Sequence, residues 1–138
     1  MREIIVDTGP LVALLNRRDE FHEWAVTSFG TIEPPLLTCE PVLTEAAYLV
    51  RKLPGGPQAV IELVTRGVLR VAFRVDAELL ALRTLLVKYA SVPMSLADAC
   101  LIRMIELQPR AAILTLDQDF RVYRRSGRLT VPVIMPDS

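Results

Sequence analysis

Histidine occurs once in the 138 residues, tryptophan once and cysteine twice. With His22 alone and no Gly-x-Ser-x-Gly, a Ser/His/Asp hydrolase has neither its base nor its nucleophile elbow. Cys39 and Cys100 stand far apart with no Cys-x-x-Cys or Cys/His spacing, which excludes a disulfide framework and a zinc site and predicts buried free thiols. There is no P-loop and no Gly-x-Gly-x-x-Gly; Gly55-Gly56 reads as a turn, not a phosphate cradle. An excess of one charge is missing too. Sixteen Lys and Arg offset sixteen Asp and Glu, so any nucleic-acid contact must come from a local patch. No run approaches the roughly 18 uncharged apolar residues of a membrane helix, and Asp7 interrupts the short N-terminal apolar run. These absences point to a soluble cytoplasmic protein.

What is present is a hydrophobic fraction of 51% in a length that suits one domain over residues 1–138. Strand-like and helix-like segments alternate. Glu3–Val6 is a β-branched run closed by Asp7-Thr8-Gly9-Pro10, and Leu11–Asn16 reads as a short helix. Asp19 is placed to cap a second helix carrying Phe21, Trp24, Ala25 and Phe29. Leu36–Thr38, Val68–Phe73, Ala112–Thr115 and Thr130–Ile134 read as strands. Between them come helices from Pro41 to about Lys52, after Pro57 to Arg66, from Asp76 to about Tyr89 and from Ser95 to about Leu107, then a helix or turn over Asp117–Arg125. The expectation is an α/β fold, a mainly parallel sheet covered on both faces.

In such sheets ligands bind beyond the carboxyl ends of the strands, near the switch in strand order. Acidic residues that follow strands therefore carry most information. Asp7 follows the first strand and Asp117 follows Ala112–Thr115, with Asp119 two residues on. Asp98 lies in the first turn of the helix from Ser95, and Glu45 in the second turn of the helix from Pro41. Each also has a purely structural reading. Asp7, Asp117 and Asp119 can be turn or cap residues, Ser95-Leu96-Ala97-Asp98 matches a capping box, and Glu45 shares a face with Tyr48 and Lys52. Four carboxylates converging on one pocket would repel unless a divalent cation neutralised them, and oxygen-only ligands suit Mg²⁺ or Mn²⁺. Arg121, Arg124, Arg125 and Arg128 follow directly, either as a solvated face or as a rim that contacts phosphate.

Four motifs in order resemble the PIN domain family, and within it the VapC toxin type: Ile4-Ile5-Val6-Asp7-Thr8-Gly9-Pro10, Leu43-Thr44-Glu45-Ala46, Leu96-Ala97-Asp98-Ala99 and Leu114-Thr115-Leu116-Asp117-Gln118-Asp119-Phe120. The resemblance implies a three-layer α/β/α sandwich with a central, mainly parallel sheet and a metal-dependent ribonuclease. Its acidic positions fall on Asp7, Glu45, Asp98 and Asp117, with Asp119 accessory. It implies that Asp7, Asp98 and Asp117 hold Mg²⁺ or Mn²⁺, that Glu45 serves the attacking water, and that Thr8 and Thr115 orient a carboxylate or water. A cognate antitoxin and a homodimer are further implications. The alternatives are a non-catalytic PIN-fold module that binds RNA or protein, and an orphan PIN nuclease in RNA processing.

Overall fold

Ile4-Ile5-Val6, Leu36-Leu37-Thr38 and Ala112-Ile113-Leu114 are buried at every position, as strands covered on both faces must be. In the computed structural model, which describes residues 2–137, they form β1 (Ile4–Val6), β2 (Leu36–Thr38) and β4 (Ala112–Leu114). With β3 (Leu69–Val71) and β7 (Val133–Ile134) they build one parallel sheet in the order β3-β2-β1-β4-β7. The chain steps outward from β1 to β3, then returns to place β4 on the other side of β1. The switch in strand order lies between β1 and β4.

Right-handed crossovers put the helices of the outward steps on one face and those of the return on the other. The packing agrees. Helix α1 (Thr8–Leu15) contacts α2 (His22–Thr31), α3 (Glu40–Leu49) and α4 (Gly56–Thr65), whereas α5 (Leu79–Lys88) packs on α6 (Leu96–Leu107). This is the expected α/β arrangement, helices flanking a parallel sheet. Pro10, Pro41 and Pro57 sit in first turns, where an N–H has no intrahelical acceptor to lose. Arg103 joins the two return helices, bonding Glu78 at 2.6 Å and Glu106 at 3.3 Å. Among the described residues no helix is long and apolar enough to cross a membrane.

Several expected boundaries move. Helix α1 begins at Thr8, not Leu11, because Asp7 itself is its N-cap. Asp19 accepts from the Phe21 amide, and α2 starts two residues later than that cap would place it, at His22. Asp76 does not cap α5; it pairs with Arg74 at 2.7 Å in a 3-10 turn, Val75–Ala77, before the helix. After a second 3-10 turn, Gln118–Arg121, the chain forms an antiparallel ribbon of β5 (Arg124–Arg125) and β6 (Leu129–Thr130) where a helix or turn was expected. Ser126 and Gly127 turn the ribbon with φ of 49° and 86°. The expected strand Thr130–Ile134 is thereby split between two sheets at Pro132, which offers no N–H and serves only as acceptor for Ile113.

The corner between α3 and α4 leaves room for no side chain at Gly56: a Cβ there would lie 2.1 Å from the Val50 carbonyl oxygen. Gly55 has a positive φ of 66° but open space around it. Gly56→Ala should therefore cost about 3 kcal/mol by overpacking, and Gly55→Ala only about 1 kcal/mol of backbone strain. Urea denaturation of both variants checks the order, and equal losses would contradict it.

Candidate active site

The buried polar side chains of the described residues are Asp7, Thr8, Thr38 and Thr115. All four lie at the carboxyl ends of β1, β2 and β4 or in the first turn of α1, so the core's polar content is gathered at the strand-order switch. Thr38 donates to the Val6 carbonyl at 3.2 Å and closes one side. Thr115 donates to Asp7 Oδ2 at 2.7 Å, and the Thr8 amide to Asp7 Oδ1 at 2.7 Å. Thr115 Oγ1 in turn accepts from the Asp117 amide at 3.0 Å, and Asp117 Oδ1 accepts from the Asp119 amide at 2.9 Å. One relay of bonds thus runs from the end of β1 to the turn after β4.

Asp98 reaches the same edge from α6. Its carboxylate closes the capping box with Ser95, and Oδ2 also accepts the hydroxyl of Tyr123 at 3.1 Å. Asp7, Asp98 and Asp117 are close enough to feel one another. Desolvation, helped by the charges of Asp98 and Asp117 and opposed by the hydrogen bonds of Thr115 and Thr8, raises Asp7 to about 6. Burial likewise raises Asp98, opposed by Ser95 and Tyr123 and helped by Asp117.

Glu45 is exposed on α3 in a groove of about 740 Å³ shared with Tyr48 and with Ser95, Leu96 and Ala97, which flank Asp98 in sequence. Asp119 is half-buried, and its charge is felt at Tyr123. Arg121 is exposed on the 3-10 turn directly after Asp117 and bonds Gln118 at 3.0 Å. Two of the other three arginines expected on a phosphate rim are engaged elsewhere. The Arg124 guanidinium caps the carbonyls of Arg121, Val122 and Tyr123. Arg125 bonds the Pro109 carbonyl at 2.7 Å. Pro109 follows the end of α6, a helix about 18 Å long, whose start carries Asp98. Tyr123 is the functional neighbour that sequence reasoning missed; no spacing rule connects an aromatic to a carboxylate 25 positions away. His22 is spent on the Ala13 carbonyl at 2.7 Å, away from the acids. Cys39 and Cys100 are buried free thiols, as expected.

The donor set fits a hard divalent cation. It is oxygen only, and among the described residues no Lys or Arg pairs with Asp7, Asp98 or Asp117. Thr8 Oγ1 is buried beside them without a partner. Among the described residues no three Asp, Glu, His or Cys are drawn together as a ready cage.

The PIN domain family matches residues 4–126 of this chain. A crystal structure of Mycobacterium tuberculosis VapC20, described as a sarcin-ricin loop cleaving toxin, matches with a TM-score of 0.72 and 26% identity, covering 87% of this chain and 94% of that one. Among curated proteins nothing matches.

The raised Asp7 makes stability depend on pH in the metal-free protein. Its carboxyl titrates near 3.8 when unfolded and about 6 when folded, facing Asp98 and Asp117. The contribution is complete below the unfolded value and is lost as pH rises through about 6, some 3 kcal/mol in all as an upper figure. Asp7→Asn carries no such loss. With EDTA at about pH 7.5, urea denaturation should find it more stable than wild type by about 1–3 kcal/mol, the difference closing near pH 4. A less stable variant at neutral pH would contradict an uncompensated charge at Asp7.

Proposed function

The chain belongs to the PIN domain family, and from that premise we propose that it is a cytoplasmic, single-domain ribonuclease of the toxin type, hydrolysing RNA phosphodiester bonds with Mg²⁺ or Mn²⁺. The observation that carries this reading is the trio Asp7, Asp98 and Asp117, mutually repelling at one sheet edge with no cationic side chain among the described residues to neutralise it. The likeness to a toxin that cleaves the sarcin-ricin loop supports RNA as the substrate.

In this mechanism Asp7, Asp98 and Asp117 hold the cation. When bound, it makes water nucleophilic at neutral pH and neutralises charge gathering on the phosphate. Thr8 follows Asp7 directly and donates to it through its amide, and Thr115 fixes the direction of Asp7. Glu45 faces the adjoining groove and takes the proton of the water that attacks phosphorus. The P–O3′ bond breaks, leaving a 5′-phosphate, and the 3′-oxygen takes a proton from solvent. Arg121, exposed at the end of the turn that Asp117 caps, contacts a substrate phosphate; Asp119 holds the turn that presents both.

A protein antitoxin and a second copy of the chain are the proposed partners. Leu79, Leu80 and Val87 are exposed on α5, which supports an apolar interface. Light scattering should then give twice the 15.4 kDa of one chain; a monomer at all concentrations would remove the dimer.

Purified protein should cleave structured RNA with Mn²⁺ or Mg²⁺ and lose the activity in EDTA. Asp7→Asn, Asp98→Asn and Asp117→Asn should each lower the rate about 100-fold or more, and Arg121→Ala should raise KM more than it lowers kcat. Full activity in the Asp variants would overturn the assignment. RNA binding without cleavage would favour the non-catalytic module.

A further inference from the structure

We propose that Tyr123 is a positioning residue of the acidic site: its hydroxyl fixes which oxygen Asp98 presents to a divalent cation. The inference rests on the reading of Asp98 as a cation ligand. Asp98 Oδ2 accepts two hydrogen bonds, from the Tyr123 hydroxyl at 3.1 Å and from the Ser95 amide at 3.2 Å. Among the described residues no donor reaches Oδ1. One oxygen is thus tied to protein and the other left for a ligand, which sets the rotation of the carboxylate before any ligand arrives.

The hydroxyl can do this because its ring cannot move. Tyr123 is fully buried. Its ring meets Tyr89 and Phe120 edge to face, with centroids 5.1 Å and 5.3 Å away. Phe120 comes from the turn that starts at Asp117, so the same aromatic cluster anchors both the Asp98 partner and the Asp117 segment. A phenol donating to a carboxylate makes a charge-assisted bond. A phenol is protonated, and so a donor, throughout the neutral range. Ser95 alone would tether Oδ2 from one direction; Tyr123 adds a second tether from a distant segment.

Tyr123→Phe keeps the ring packing and deletes only this bond. Tyr89→Phe is the control. Tyr89 is also buried and touches the same ring, but its hydroxyl accepts from the Arg124 amide at 2.8 Å and is not bonded to a carboxylate. The experiment is Mn²⁺ titration by calorimetry on the full chain, with thermal unfolding in EDTA alongside. Wild type should bind Mn²⁺, Tyr123→Phe about tenfold more weakly as for an orienting partner, and Tyr89→Phe within about twofold of wild type, both variants remaining folded. Unchanged affinity in Tyr123→Phe, or equal weakening in both tyrosine variants, would overturn the inference while leaving the site reading intact. Asp98→Asn separates the two: if it binds Mn²⁺ as wild type does, or if wild type binds none, the reading of the site fails and this inference falls with it.

Discussion

Asp7 carries its charge at the point where β1 and β4 run out side by side, 7% exposed, and the surrounding architecture follows from tolerating it there. A carboxylate so placed loses most of its hydration, and a few fixed donors offset only part of that loss. The donors have to come from elements that cannot drift. The Thr8 amide is the first of a helix, and Thr115 is held by the ladder that joins the Asp7 amide to the Leu114 carbonyl at 3.0 Å. Strand pairing and carboxylate placement are one constraint. Loosening β4 would release Thr115, and with it the turn that bears Asp117.

The cap and the ligand readings of the acids turn out to be compatible. Asp7 caps α1, Asp98 completes the box of α6, and Asp117 caps the turn Gln118–Arg121. In Asp98 and Asp117 the hydrogen bonds from Ser95, Tyr123 and Asp119 use one oxygen and leave the other. The first turns of helices carry partial positive charge, so capping also lessens the repulsion within the trio. Structural and chemical roles divide between two atoms of one side chain.

This explains what was legible in the sequence. A parallel sheet places the ends of β1 and β4 at one edge, so Asp7 and Asp117 could be located from the strand pattern, and Ser95-Leu96-Ala97-Asp98 from capping chemistry. The arginines could not be sorted that way. Arg121, Arg124 and Arg125 are neighbours in sequence, yet the turn into the ribbon sends Arg125 to the end of α6 remote from Asp98. Ser126-Gly127 between two short runs was a readable hairpin signal, but Tyr123, Arg124 and Arg125 carry no alternation to mark a strand. Tyr123 was hidden for a different reason: its role depends on a fold-level meeting with α6 that no local period encodes.

The bond between Thr115 and Asp7 spans 108 positions of chain. Synthesis proceeds from the amino end, so Asp7 emerges early and waits for β4 to be made before its partner exists. Until then the growing chain has α1 without the neighbour that steadies its cap, and lacks Asp117 altogether. Because β4 lies between β1 and β7 in the sheet, the order of strands delays assembly of the acidic edge until β4 has followed the first three strands.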